Sequence, residues 1–431
     1  MIWVQLFRAV LNRLFARPIT LLGIRRPRKT TFHSRQIVKD LTYMTNFKVI
    51  DADAFRGRED LIEIEIPTSV TKIGICAFRN CTNLHKVIIP EGVTMIFSGA
   101  FKNCRSLSEI HIPSSVTLID LPSAFENCSA LEHISVCKEN PKYDSRNSCN
   151  AIIETETDRL VLGCSNTVFP PDIKSIGDGA FAWCDTLREI HIPASVNAIG
   201  SDSFYGCCSI EQITVDADNK IYDSRKGCNA IIETSTDKLL FACKNTVIPD
   251  GIKEISADAF ESCEDLTEIA IPESITKIPA QTFCQCSNLR KVTLPDSIVE
   301  ILDSAFSGCE SLTRIDIPES MEVICDYSFY GCSSLKDLSI ASSIKVIGRR
   351  AFADCISLDR VVIPDSVIEI RSGAFRGCSN LTQLTLPKGV KVAKDAFEGC
   401  PVVIKTDVEY YDSDIVDPVF TEFISGNIDC Y

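Results

Sequence analysis

The 431-residue chain is expected to fold as a repeat solenoid: a right-handed α/β-type superhelix, mostly parallel β-strand with short turns, in coils of about 23 residues. Three observations predict it. A Phe preceded by a small residue recurs at Phe55, Phe78, Phe101, Phe125, Phe181, Phe204, Phe260, Phe283, Phe306, Phe329, Phe352, Phe375 and Phe397. Ten of the twelve steps are 22–24 residues, and the other two are 56, an ordinary step lengthened by 33. Most of these Phe residues have a Cys three places on, and a run of alternating apolar residues ending in Pro lies between successive units.

The first 46 residues stand apart from this period. Residues 1–39 carry nine Lys or Arg and no Asp or Glu. Trp3, Leu6, Phe7, Val10, Leu11, Leu14 and Phe15 follow the spacing of one helix face, with Arg8 and Arg13 off it. The segment reads as an amphipathic surface helix or as an extension outside the fold. It is not a clean secretory signal, because Arg8, Arg13 and Arg17 interrupt every apolar run. No run in the chain reaches the ~18–20 apolar residues of a membrane-spanning helix.

Residues 47–405 carry the repeat, "IPxSVxxIGxxAFxxCxxLxxIxI". Each part has a physical task. "LxxIxI" alternates apolar and polar residues, as a half-buried strand does. The Pro that follows, such as Pro90 or Pro295, lacks an N–H and fixes φ, so pairing stops and the chain turns. "SVxxI" returns apolar side chains to the interior as a second extended arm, and "AFxxC" turns the chain again with Phe filling the coil. One coil cannot bury its own apolar face, so coils must stack, their strands pairing in parallel at ~4.8 Å per coil. About 15 coils give a length of ~70 Å.

Cysteine follows twelve of the Phe residues: Cys81, Cys104, Cys128, Cys184, Cys207, Cys263, Cys286, Cys309, Cys332, Cys355, Cys378 and Cys400. The first coil has Arg58 there, as a coil facing solvent would. Zinc sites use paired ligands such as C-x₂-C, whereas each coil here supplies one thiol in register. The residues are therefore expected to be structural: small, buried, reduced side chains at a tight bend.

The unit resembles the BspA-type leucine-rich repeat, whose coils read "AFxxCxxLxxIxIPxxVxxIG", and the resemblance covers most of the chain. It implies a leucine-rich-repeat solenoid and a non-enzymatic adhesion or interaction protein of a bacterial surface. It supplies no catalytic residues.

Two inserts, residues 137–169 and 216–248, account for the long steps. "YDSRNSCNAIIETETDRLVLGC" and "YDSRKGCNAIIETSTDKLLFAC" start 79 residues apart and agree at 15 of 22 positions. Asp144, Arg146, Cys149, Asn150 and Glu154 are residue types found in active sites, but neither insert has a His to activate Cys149 or Cys228. Asp216, Asp218 and Asn219 suggest a calcium loop, yet the first copy has Cys137, Glu139 and Asn140 there. Two apolar runs around "ETD" or "STD" read as a β-hairpin. Thr167–Pro170 and Thr246–Pro249 read as strand ends of irregular coils, and equal spacing of Cys149/Cys164 and Cys228/Cys243 leaves a disulfide open.

The outward positions of the first strand row form the candidate partner-binding face: Lys86, Glu109, His111, His133, Glu189, His191, Lys291, Arg314, Asp316 and Arg360. Its first column runs from mostly acidic to mostly basic at Lys291. The expected partner is a protein or a glycan, such as host matrix or another cell surface. No phosphate-binding loop, metal signature or ordered triad is present, so no cofactor and no enzymatic activity are expected. The net charge of −14 argues against nucleic acid. The expected location is the cell surface or secreted; the alternative is a cytoplasmic repeat scaffold. Residues 406–431 are acidic and read as a terminal cap and tail.

Overall fold

The computed structural model describes residues 48–404 and 407–412; the basic segment and the tail beyond residue 412 lie outside the described residues. The chain winds as a solenoid of parallel strands in two rows. The first row holds the "IxI" segments, beginning Glu63–Glu65, Lys86–Ile88, Glu109–Ile112 and His133–Val136. The second row holds the "xI" arms, beginning Val49–Ile50, Lys72–Ile73, Met95–Ile96 and Leu118–Ile119. Pairing is in register with the period: Glu63 faces Lys86, and Lys72 faces Met95. Among the described residues helix is confined to three short 3-10 turns.

Eleven of the thirteen coils visit the left-handed region twice, two residues before the anchor Phe and two after it. Two residues after the anchor Phe, φ is positive in all thirteen coils, and Gly, Asn, Ser, Gln or Asp fills the position in every coil but one. These residues tolerate φ > 0 best because they have no Cβ or a short polar side chain that bonds locally. Asn80, Asn103 and Asn127 add a ladder there: Asn103 Nδ2 donates to Asn80 Oδ1 at 2.7 Å, and Asn127 Nδ2 to Asn103 Oδ1 at 2.9 Å. The anchor rings stack down the interior, with centroids 5.0–5.3 Å apart from Phe55 to Phe125 and 4.9–5.5 Å from Phe260 to Phe397.

The inserts divide this interior. In the first, Tyr143–Asp144, Ile152–Glu154 and Arg159–Leu162 pair antiparallel, and Arg159–Leu162 then joins the second row in parallel with Ser175–Ile176. The expected hairpin is therefore present, and the second insert repeats it with Tyr222–Asp223, Ala230–Glu233 and Lys238–Ala242. Ile152 and Leu162 pack into the N-terminal core, while Ile153 and Leu160 pack into the middle one. Likewise Ile231 faces the middle core, and Ile232 and Leu239 face the C-terminal one. Because successive strand residues point to opposite faces, each hairpin is a wall with apolar side chains on both sides.

One expectation is corrected. Thr167–Pro170 and Thr246–Pro249 form no strand ends. Gly163 N–H donates to Ala180 O, and Ala242 N–H to Ala259 O, as Phe78 N–H does to Ala100 O, so Gly163 and Ala242 hold the anchor slot of the insert coils. From Gly163 to Pro170 the chain has seven residues, against twelve from Phe78 to Pro90. That is too few for a first-row strand, and the row is interrupted at both inserts.

Candidate interaction surface

The first row presents alternate side chains outward because strand residues alternate faces. In Glu109–Ile112 and Glu189–Ile192 the two Ile residues are buried, and Glu109, His111, Glu189 and His191 are exposed. His133, Lys291, Arg314, Asp316 and Arg360 are exposed as well, and Lys86 is half-buried. The structure thus places all ten expected residues on one row, but in separated groups. Lys86, Glu109, His111 and His133 lie before the first insert, Glu189 and His191 between the inserts, and the rest beyond the second.

Neighbouring coils tie many of these side chains down. Lys86 Nζ lies 2.7 Å from Glu109 Oε1. That contact raises the lysine pKa and lowers the carboxylate's. His111 Nδ1 is 2.9 Å from Ser135 Oγ, and His191 Nδ1 is 3.0 Å from Thr214 Oγ1. These one-coil contacts satisfy one nitrogen of each ring. Arg314 grips Asp316 of its own strand with Nε and Nη2, at 2.9 and 3.0 Å, so the basic stretch is partly neutralised. Lys291 and Arg360 have no acidic side chain within 4.0 Å among the described residues and are its unspent charges.

The residues of the inserts that look catalytic form a clasp. Arg146 binds Asp144 through Nε and Nη2 at 2.9 and 2.7 Å, and its Nη1 reaches Asp158 at 2.7 Å and Asp172 at 2.9 Å. Burial pushes the Asp144 carboxyl up, but the Arg146 hydrogen bonds outweigh it and hold the pKa below the usual value. Arg225 repeats the grip on Asp223 and Asp237. Asn140 and Asn219 are spent on turns: the Asn219 amide donates to Pro193 O and Val196 O and accepts from Ile221 N and Tyr222 N. Cys149, Cys164, Cys228 and Cys243 are free, buried thiols. Cys149 packs in the middle core and Cys164 in the N-terminal one, on opposite sides of the wall.

Sequence reasoning missed three exposed valines. The insert coils expose Val168 and Val247 at 69% and 72%, and the shortened last coil exposes Val403 at 74%, more than any other large apolar residue described. The available signal was the spacing, since five residues are missing between the anchor slot and the Pro.

Stacked coils, a parallel strand row and a ladder of anchor Phe define a leucine-rich-repeat solenoid. The family described as the BspA type leucine rich repeat region matches residues 28–152, 161–238, 238–359 and 300–422, and the chain belongs to that family. Among solved structures, the chain is similar to a leucine rich cell surface protein from Faecalibacterium prausnitzii: 27% identity over 85% of this chain and 83% of that one, TM-score 0.44. A leucine-rich repeat protein from Bacteroides ovatus shares 23% identity over 84% of this chain and 87% of that one, TM-score 0.37. A leucine rich repeat protein from T. pallidum shares 33% identity over 37% of this chain and 80% of that one, TM-score 0.34. No curated protein matches the chain.

Proposed function

We propose that the chain is a non-enzymatic interaction or adhesion protein that binds a protein or glycan, on a cell surface or secreted, through its first strand row. The observation that carries this reading is the row itself: its outward positions are exposed and mostly polar, with Ile88 and Val362 the large apolar exceptions, on a frame whose inward Ile residues are buried. Solenoids use such long strand-lined faces for extended contacts. Small second-column side chains, such as Thr293 and Ser339, let a partner approach the strands closely. The family, and a similar structure described as a cell surface protein, support the location. No helix among the described residues is long and apolar enough to cross a membrane.

The test is a binding screen of the full chain against matrix proteins and glycans, with cell fractionation alongside. Any ligand found is re-measured against Lys291→Glu/Arg360→Glu, which reverses the two unspent charges. A loss of roughly tenfold or more in affinity supports the reading; unchanged affinity refutes the use of this face. Recovery only in the cytosol would favour an intracellular scaffold.

A further inference from the structure

The exception among the thirteen left-handed positions is Trp183, at φ +65°. A bulky residue there is uncommon and strained. The next coil makes room for it. A Cβ on Gly206 would stand 2.7 Å from Trp183 Cε3, so the indole rests over the glycine backbone. Tyr205 meets the indole edge-to-face, with centroids 5.0 Å apart at 87°. From there Tyr205 reaches across the second insert coil, its hydroxyl 3.3 Å from Glu261 Oε1, a residue 56 positions on.

The carboxylates beside this aromatic pair lack counter-ions. Asp202, Asp258 and Glu261 have no Lys, Arg or His within 4.0 Å among the described residues, and Asp258 Oδ1 is buried without a hydrogen-bond partner. Burial, followed by Asp258 and Asp202, pushes the Glu261 carboxyl up to about 7.

The first insert provides an internal comparison, 79 residues earlier. Asp202, Tyr205, Asp258 and Glu261 correspond there to Ser123, Glu126, Gly179 and Ala182. That seam is closed and neutral. Pro122 Cγ stands 2.9 Å from where a Gly179 Cβ would lie, and Glu126 is paired with Lys102. Only the second seam combines aromatic rings with uncompensated acid.

We propose that this seam, on the corner joining the second strand row back to the first, is a docking site for a Lys or Arg side chain on a partner protein. Aromatic rings attract such cations through their quadrupole, and unpaired carboxylates supply the complementary charge. The site is separate from the strand face and could be engaged at the same time.

Trp183 reports on its own site. The chain has only one other tryptophan, Trp3, so a full-length Trp3→Phe protein makes Trp183 the sole indole emitter. Titration with a hexa-arginine peptide should change its emission saturably. The affinity should fall about tenfold on adding Asp258→Asn/Glu261→Gln. A charge-matched control, Glu398→Gln/Asp412→Asn at the far end, should leave the affinity unchanged. Three outcomes would overturn the proposal: no saturable change, equal loss from the remote control, or emission that already responds to 0.5 M NaCl before peptide is added. The last would mean that a charged group of the chain itself already occupies the seam.

Discussion

The Cys104 thiol lies 3.2 Å from the carbonyl oxygen of Phe78, one coil earlier. The same S–H to Phe contact recurs at Cys81, Cys128, Cys207, Cys286, Cys309, Cys332, Cys355, Cys378 and Cys400, at 3.0–3.3 Å. Cys184 and Cys263, whose preceding coils carry Gly163 and Ala242 in the anchor slot, are the two of the series without this contact among the described residues. The cysteine thus does two things: it fills a bend and donates across coils to a buried carbonyl. Cys309→Ala should therefore destabilise the chain by about 1–3 kcal/mol, the sum of a small cavity and a lost weak bond. Cys184→Ala should cost less, because only the cavity is created. Urea unfolding of the two variants checks the difference, and equal losses would remove the hydrogen bond from the account.

The buried thiols of this series should also be unreactive in the folded chain; half-buried Cys400, whose pKa a hydrogen bond from Cys378 lowers, is the exception. Burial pushes the pKa of Cys81 up to about 11 and those of Cys128 and Cys184 up to about 12. The thiolate, not the thiol, is the nucleophile. At pH 8 a thiol reagent should label fewer than half of the 22 cysteines until denaturant is added, with half-exposed Cys76, Cys137, Cys208 and Cys400 first among those described. Rapid labelling of the majority would contradict the packing.

How much of this was legible in the sequence follows from what kind of information each feature uses. The coil, its two strand rows, the anchor Phe stack and the hairpins were legible, because periodic apolar patterning encodes them locally. The interruption of the first row was not read, although the shortened step from Gly163 to Pro170 encodes it. It becomes visible only once hydrogen bonds identify Gly163 as the anchor slot. Pairing of Arg314 with Asp316 depends on rotamers, and the Tyr205–Glu261 contact depends on which corners meet across an insert. Neither follows from spacing along the chain.

The two arginine clasps should differ in strength. Lys253 supplies a second cation to Asp237, at 2.8 Å, whereas Arg146 alone neutralises Asp144, Asp158 and Asp172 among the described residues. Arg146→Ala leaves three carboxylates together and should cost about 1–3 kcal/mol, more than Arg225→Ala. Added salt should narrow the gap, since these groups are partly exposed and screened. Melting both variants at low and high NaCl checks the order.

Stability should fall as pH rises from 4.5 to 7 through Glu261. Burial, then Asp258 and Asp202, raise its folded-state pKa from 4.5 to about 7. Below pH 4.5 both states hold the proton and the site imposes no penalty. Across the window the folded chain binds more protons than the unfolded one, so stability declines with pH, and the penalty is complete above pH 7. Glu261→Gln should remove this decline and raise the melting temperature at pH 8 relative to wild type. Parallel pH profiles for the two proteins would refute the assignment.

The inserts match at 15 of 22 positions, yet they should not be interchangeable. In the first, Gly163 lies against the ring of Phe181; a Cβ there would fall 2.1 Å from Cε1, an impossible contact without movement of the ring. The space Gly163 leaves is taken by Phe181, and Phe169 continues the aromatic stack at 5.6 Å. In the second, Ala242 takes the glycine's place, Phe241 meets Phe204 at 5.1 Å, and Ile248 stands where Phe169 does. Aromatic bulk has moved from one side of the slot to the other, with the methyl group adjusted to match. Gly163→Ala should therefore overpack the first wall and cost about 1–3 kcal/mol. Ala242→Gly should cost about 1 kcal/mol, through lost burial and a more flexible unfolded chain. If Gly163→Ala instead melts with the wild type, the ring of Phe181 yields freely, and the wall between the N-terminal and middle cores is looser than its packing implies.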